Sequence, residues 1–223
     1  MTPCILLSWV LAAAAGAPDV PAYTPQPRAS GIFLVARREM RDPRFQRTVV
    51  LVTQTQGGAP WGVIINRPLK RRLSEVFTEH EALRERKDVV FYGGPVAPEG
   101  LVFLVRAPQP PPRAIPVLRD VYFTSDPGWI EARLKRSDPL PGLRVYAGYA
   151  GWAPGQLQNE IARGDWYVLP ADPETVFETD SARIWPELEK RASTRYTREG
   201  EGAGARPWQI SSFALPLSRA LAF

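Results

Sequence analysis

Histidine and cysteine each occur only once in the sequence, as His80 and Cys4. A metal site built from several histidines is therefore excluded. No serine or cysteine lies in a nucleophile-elbow pattern that His80 could activate. His80 has charged neighbours along the chain and falls at the edge of an apolar helical pattern, so we predict a partly buried structural histidine.

Glycine-rich phosphate loops are also missing. The Gly-Gly-Pro motif at residues 93–95 lacks the Gly-Lys-Ser/Thr of a phosphate-binding loop, and no G-x-G-x-x-G motif leads from a strand into a helix. The sequence therefore predicts no nucleotide chemistry, no cofactor and no metal. The remaining acid–base candidates are the carboxylates of Asp42, Glu160 and Asp165, which lie near glycine-rich segments.

Charge gives little indication of a nucleic-acid partner. The 223 residues include 28 Lys and Arg and 23 Asp and Glu, for a net charge of +5, and the two signs are interspersed. The densest basic cluster, residues 67–72, is followed by Glu75, Glu79 and Glu81. We predict that this cluster is the solvated entry to a helix rather than a phosphate-binding surface, and we expect no direct DNA binding.

The N-terminal residues form an apolar run. Residues 4–17 are short for a membrane span and end in small residues, as the apolar region of a secretory signal does. We predict a signal peptide over residues 1–17, a Pro/Ala-rich linker over residues 18–30 and no stable transmembrane segment after cleavage. The mature protein would be exported to the periplasm without Cys4. The alternative is a misassigned start codon and a cytoplasmic protein.

A single α+β domain is predicted over residues 31–192. We expect a C-terminal extension over residues 193–223, with a flexible link and a docked apolar segment. Apolar, β-branched runs predict strands at residues 31–36, 48–53, 61–66, 88–92, 101–106, 121–124, 143–149 and 166–169. Turn-rich links such as residues 54–58 indicate antiparallel hairpins. Helices are predicted at residues 73–86, 129–136, 155–163 and 183–191.

Four segments near strand ends combine glycine, proline, aromatic and polar residues: residues 42–45 (DPRF), 66–68 (NRP), 93–96 (GGPV) and 148–157 (GYAGWAPGQL). Each has a structural explanation. Asp42 can close an Asx-turn, Asn66 tolerates left-handed geometry, and paired glycines permit a sharp reversal. In the fourth segment an aromatic strand end leads into a proline-started helix, whose free N–H groups would favour an anion or a carbonyl oxygen.

In this order and spacing, the four segments resemble the YqgE/AlgH family, a bacterial group named partly for a regulator of alginate production. The resemblance also includes residues 31–36 and 62–65, Glu160 and Trp166, and it covers roughly residues 31–191. It implies an α/β domain with a bent, bifurcated and largely antiparallel sheet that approaches a pseudo-barrel, with helices outside. It implies no established enzymatic activity.

Family members have been called transcriptional regulators, but no helix-turn-helix is legible in this sequence, so an indirect regulatory role is expected. Two positions depart from the family pattern. Arg106 stands where a histidine is common, and Gln158 stands where glutamate is usual. A mechanism that uses that histidine is therefore excluded here. The leader and the extension also depart from the compact cytoplasmic members.

The leading hypothesis is a non-enzymatic binding or regulatory domain with a small-ligand pocket where the four segments converge. The predicted lining residues are Asp42, Arg44, Asn66, Gly93, Gly94, Tyr149, Trp152, Gln156 and Glu160. Arg44 and the helix start would suit an anionic or amide-bearing ligand. One alternative is a hydrolase with Asp42 or Glu160 as general base. Another is a protein-interaction scaffold in which the four segments are only corners of the fold.

Overall fold

The computed structural model describes residues 31–53, 59–135 and 142–201, with side chains to residue 196. The predicted signal peptide, the linker at residues 18–30, the link at residues 54–58 and the extension after residue 201 lie outside the described residues. Within those ranges, no helix combines the length and the apolar character needed to cross a membrane.

Ten strands of the described ranges form one sheet, and all but one of their pairings are antiparallel. The strands are β1 (Ile32–Ala36), β2 (Val49–Thr53), β3 (Trp61–Ile64), β4 (Pro68–Arg72), β5 (Val89–Tyr92), β6 (Val96–Arg106), β7 (Ile115–Leu118), β8 (Val121–Thr124), β9 (Leu143–Gly151) and β10 (Trp166–Pro170). Their order is β10-β1-β2-β3-β9-β6-β8-β7, and β5 and β4 form a branch beside β9.

The sheet divides along β9. At the end of β9, Ala150 and Gly151 pair with β3, whereas its middle residues 145–147 pair in parallel with β5. The opposite edge of β9 pairs with β6. This division bends the sheet into a curled half-barrel, and the predicted α+β class with a bifurcated, largely antiparallel sheet is confirmed.

Both faces of β1 are buried, because different elements cover each face. Phe33 and Val35 pack in the cluster that contains Ile184 and Leu188 of the C-terminal helix. The alternate residues of β1 face a second cluster that contains Trp152 and Trp166. This alternation places Trp152 and Leu157, from the motif at residues 148–157, on the face of the sheet opposite the C-terminal helix.

Five α-helices of the described ranges surround the sheet: α1 (Leu73–Val76), α2 (Pro127–Leu134), α3 (Gln156–Ala162), α4 (Pro173–Phe177) and α5 (Ser181–Glu201). Helix α2 begins at Pro127, two residues before the predicted start, and the Asp126 carboxylate caps it by accepting a hydrogen bond from the Trp129 N–H at 2.8 Å. Helix α5 continues beyond the predicted end at residue 191, and within it the buried Glu189 accepts a bidentate bond from Arg38.

Two predictions between residues 67 and 86 are wrong. Residues 68–72 are not a helix entry but the strand β4, which pairs with β5. The helix predicted at residues 73–86 is the single turn α1 followed by a 3₁₀ turn, Glu81–Leu83. Leu73 and Leu83 are both buried in one cluster, so two separate turns satisfy the apolar spacing that predicted one helix.

Two further elements were not predicted at their full extent. The strand β7 is absent from the sequence prediction, because Pro116 interrupts its apolar run. Strand β6 begins at Val96, five residues before the predicted start, and its first half is exposed and carries a register shift against β9. His80 is partly buried, as predicted, with its Nε2 atom 3.2 Å from a Glu131 carboxylate oxygen.

Candidate functional site

A cavity of about 710 Å³ opens where three of the four motif segments meet. We call it the tryptophan cavity, because Trp152 and Trp166 both line it. Its lining consists of residues 39–42, 44–45, 95–96, 151–152, 156, 160 and 163–166. The volume falls in the range of small-molecule sites, about 300–1,000 Å³.

The 37–47 loop between β1 and β2 forms one wall of this cavity, and the motif at residues 66–68 holds it. The Asn66 side chain accepts a bond from the Val49 N–H and donates one to the Arg47 carbonyl, both at 2.9 Å. The Arg67 guanidinium donates to the carbonyl oxygens of Arg44 and Gln46. Burial lowers the pKa of Arg67 from its usual value. Asn66 and Arg67 therefore shape the wall without lining the cavity.

Gly93 and Gly94 place the opposite wall, which Pro95 and Val96 form. A Cβ atom at Gly93 would lie 2.2 Å from the Gly148 carbonyl oxygen, and one at Gly94 would lie 2.3 Å from a backbone carbon of Tyr149. Gly94 also has a φ of 154°. Only glycine allows the two backbones to approach so closely, so these residues are structural and do not contact the cavity.

Glu160 holds the floor of the tryptophan cavity. Its Oε2 atom accepts hydrogen bonds from the indole N–H groups of Trp152 at 2.9 Å and of Trp166 at 3.0 Å. Its Oε1 atom accepts from the Gln156 side-chain amide at 2.9 Å. Both indoles are almost fully buried, with 5% and 3% of their surface exposed. The carboxylate therefore fixes the orientation of two aromatic side chains from different elements.

Asp42 is occupied by its own turn. Its Oδ1 atom accepts from the backbone N–H of Arg44 at 2.9 Å, and its Oδ2 atom accepts from the Arg44 guanidinium at 2.7 Å. These bonds from Arg44 hold the pKa of Asp42 below its usual value, although partial burial acts in the opposite direction. A general base needs an available lone pair and a raised pKa, and Asp42 has neither.

The start of α3 differs from the predicted anion site. Pro154 lies before the helix, and Gly155 precedes Gln156 with a left-handed φ of 79°. The Gln156 side chain turns back and accepts a bond from the Ala153 N–H at 3.1 Å. The helix has only seven residues, and its dipole is correspondingly weak. The expectation that free N–H groups at this helix start bind a ligand has no support in this geometry.

The structure brings together five of the nine predicted site residues: Asp42, Arg44, Trp152, Gln156 and Glu160. It does not place Asn66, Gly93, Gly94 or Tyr149 on the cavity. Tyr149 packs against Trp61 in the cluster on the opposite face of the sheet, because neighbouring residues of a strand point to opposite faces. The acid–base candidate Asp165 lines the cavity and pairs with Arg163 at 2.7 Å.

Sequence reasoning missed several lining residues. Phe45 contacts Trp166 edge to face, with ring centroids 5.6 Å apart. The segment that contains Phe45, residues 42–45, was interpreted only as a turn. Val96 belongs to the motif at residues 93–96 but was not predicted to line the cavity. Arg41, in a loop, and Arg163, at the end of α3, carry no local signal of a site. Trp166 begins a predicted strand, and its period-2 position relative to β1 could have placed it on the Trp152 side.

Comparisons with known proteins agree on one family. The family model described as AlgH-like matches residues 33–197. A UPF0301 protein of Mycobacterium tuberculosis is 32% identical over 170 residues, which cover 73% of this chain and 81% of that protein. A UPF0301 protein of Streptomyces coelicolor is 34% identical over 165 residues, covering 73% of this chain and 86% of that protein. The names of these relatives state no activity.

Solved structures share the fold. The crystal structure of protein DIP2367 from Corynebacterium diphtheriae matches with a TM-score of 0.59 and 28% identity, covering 76% of this chain and 90% of that one. The solution structure of the AlgH protein from Pseudomonas aeruginosa matches with a TM-score of 0.60 and 23% identity, covering 84% of this chain and 100% of that one. The second likeness is evidence for the fold alone.

Proposed function

The chain belongs to the AlgH-like family, and from this premise we propose that it is a non-enzymatic binding or regulatory domain that takes a small ligand in the tryptophan cavity. The protein would regulate indirectly, without contacting promoter DNA. The motif segments that carry the family resemblance support this proposal, because three of them line a single cavity and the fourth holds one of its walls.

The observation that carries the proposal is the hydrogen-bonded group of Glu160, Trp152, Trp166 and Gln156. Three donors converge on one carboxylate beside a concave surface. A carboxylate in contact with two buried indoles costs solvation free energy, and hydrogen bonds offset that cost. Such an arrangement gives the cavity a rigid floor, as a preformed binding site requires.

The same geometry argues against the hydrolase alternative. Both oxygens of Glu160 accept bonds from side chains of the floor, and Asp42 is paired with Arg44. The Arg44 guanidinium holds the pKa of Asp42 below its usual value, whereas general-base catalysis needs a raised pKa, and three hydrogen bonds engage Glu160 in the floor. The scaffold alternative accounts for Asn66, Gly93 and Gly94 as corners of the fold, but it leaves the convergence of the other residues on a cavity without a role.

A metabolite-library thermal-shift screen tests the proposal. We expect at least one compound to raise the melting temperature of the wild-type chain. That stabilisation should be lost in Gln156→Ala and Arg44→Ala, because Gln156 donates to the floor carboxylate of Glu160 and Arg44 lines the wall.

The matched control is Gln158→Ala. Gln158 is exposed on the same helix and does not line the cavity, so this variant should keep the ligand response of the wild type. If no compound gives a stabilisation that Gln156→Ala removes, the tryptophan cavity is not a binding site and the proposal fails.

A further inference from the structure

Val96 is the only large hydrophobic side chain that is exposed among the described residues, with 37% of its surface accessible. It lies on the tryptophan cavity, where the half-buried Phe45 also lines the wall. Ligand sites are lined predominantly by apolar side chains, and Val96 and Phe45 supply such surface on this cavity. The cavity therefore offers a place for the apolar body of a ligand.

The two tryptophans add apolar surface but no hydrogen-bond donors. Each indole N–H donates to Glu160 and is not available to a ligand. The Gln156 side chain is also engaged, since its oxygen accepts from Ala153 and its nitrogen donates to Glu160. The polar recognition of a ligand must come from other side chains.

The charged side chains on the cavity are not equally available. Arg44 pairs with Asp42 at 2.7 Å, and Arg163 pairs with Asp165 at 2.7 Å. By contrast, the exposed Arg41 forms no hydrogen bond or ion pair with the residues that the structure describes, and it lines the same cavity. A guanidinium has five N–H donors in a planar fork that matches carboxylate and phosphate oxygens.

Two further acids, Glu39 and Glu160, line this cavity. Glu160 accepts three hydrogen bonds, as described above. The exposed Glu39 acts electrostatically on the guanidinium of its neighbour Arg38. Arg41 is thus the cavity's guanidinium that lacks a carboxylate partner among the described residues.

We propose that the tryptophan cavity binds an amphiphilic anion, with its apolar body on Val96 and Phe45 and its carboxylate or phosphate group on Arg41. This inference rests on the proposed function and names the ligand class of the same site. Carboxylate and phosphate share the chemistry that a guanidinium recognises, so the experiment distinguishes them.

The test compares probes that share a phenyl group and differ in charge. Isothermal titration calorimetry of the full chain compares 4-phenylbutyrate, 4-phenylbutyramide and 4-phenylbutylamine. These probes share a phenylalkyl group, and their end groups are an anion, a neutral amide and a cation. We expect the anion to bind about tenfold more tightly than the amide, as for a hydrogen bond to a charged group. The amine should bind more weakly than the amide. Phenyl phosphate and phenol give the corresponding comparison for a phosphate.

Arg41→Gln should reduce the anion-to-amide ratio to about one, whereas Arg71→Gln should leave it unchanged. Arg71 is an exposed arginine on β4 that does not line the cavity, so this control removes the same charge elsewhere. Val96→Ser should weaken all phenyl probes alike, and acetate alone should not bind measurably.

The inference is overturned if the amide or the amine binds as tightly as the anion, if Arg41→Gln keeps the anion preference, or if no phenyl probe binds at millimolar concentration. A library compound whose stabilisation needs Gln156 would, in each case, still support a binding site. Failure of the library screen as well would remove the proposed function itself. The two failures are therefore distinguishable.

Discussion

The Oε2 atom of Glu160 lies 2.9 Å from the indole nitrogen of Trp152 and accepts its hydrogen bond. Trp152 follows the end of β9, whereas Glu160 lies on α3, so this contact joins the sheet to the helix beside the tryptophan cavity. Trp166, at the start of β10, donates to the same oxygen. One carboxylate therefore connects three consecutive elements of the chain.

We expect Glu160→Ala to lower the free energy of unfolding by about 2–4 kcal/mol, because it leaves two buried indole N–H groups without an acceptor. Urea unfolding followed by circular dichroism measures this loss. Glu160→Gln retains one acceptor oxygen and should cost less than the alanine variant. Glu79→Ala, at an exposed glutamate that has no bond to the described residues, is the control. A loss below about 0.5 kcal/mol for Glu160→Ala, the usual range of surface substitutions, would contradict the structural role of this carboxylate.

Most strands could be predicted from the sequence, because a β-branched run reports local burial directly. By contrast, the local sequence could not show that residues 73–86 form two separate turns instead of one helix. Its apolar spacing is helical, but Val76, Phe77 and Thr78 are weak helix formers. The chain closes one turn at Phe77 and a second at Leu83. Burial of Leu73 and Leu83 by the sheet decides the outcome, and the local pattern does not contain that information.

The candidate site was predicted in part for a related reason. Trp152, Gln156 and Glu160 lie within one short segment, and helical spacing places Gln156 and Glu160 on one face of α3. Arg41 and Val96 come from distant segments whose positions depend on Asn66 and on the Gly93-Gly94 contact. Tyr149 was assigned to the cavity although it lies an odd number of residues from Trp152 along the strand end. The alternation of side chains in β9 would have separated them.

Gly93→Ala should be severely destabilising, by about 4 kcal/mol or more, because its Cβ would lie 2.2 Å from a backbone oxygen of Gly148. Backbone atoms cannot move aside as a flexible side chain can. Thermal unfolding of the purified variant measures the effect. Gly155→Ala is the matched control, since no atom lies within 4 Å of its added Cβ and only the left-handed φ of 79° opposes it. We expect a cost of about 1–2 kcal/mol there. Equal costs at the two sites would contradict the close approach of β5 and β9.

Asn66→Ala should release the 37–47 loop from β2. The variant loses the acceptor for the Val49 N–H and the donor to the Arg47 carbonyl, and we expect a loss of about 1–3 kcal/mol. Native-state hydrogen exchange should show lower protection of the Val49 amide. Asn159→Ala, at an exposed asparagine of α3 whose side chain has no bond to the described residues, should leave that protection unchanged. Unchanged exchange at Val49 in Asn66→Ala would show that other contacts hold the loop.

The ion pair of Asp42 and Arg44 predicts a specific acid sensitivity. Hydrogen bonds from Arg44 lower the pKa of Asp42 in the folded chain below its usual value of 3.8. A carboxyl whose folded pKa is depressed contributes stability above the unfolded pKa, and that contribution is lost as the pH falls through the folded pKa. The wild type should therefore be more stable than Asp42→Asn at pH 5–7, and the difference should shrink as the pH falls below 3.8 toward the folded pKa. Asparagine can still accept the bond from the Arg44 N–H, so the turn itself is retained.

Arg44→Gln provides the cross-check for this pH dependence. Because the two side chains act on each other, the double variant Asp42→Asn/Arg44→Gln should lose less stability than the sum of the two single losses at pH 7. As the pH falls from 7 to 2 the carboxyl becomes increasingly protonated in every chain that contains it, so the single losses should approach additivity. Urea unfolding at both pH values measures the coupling. Additive losses at pH 7 would show that the exposed ends of the pair are screened by solvent, and the acid sensitivity would then have another origin.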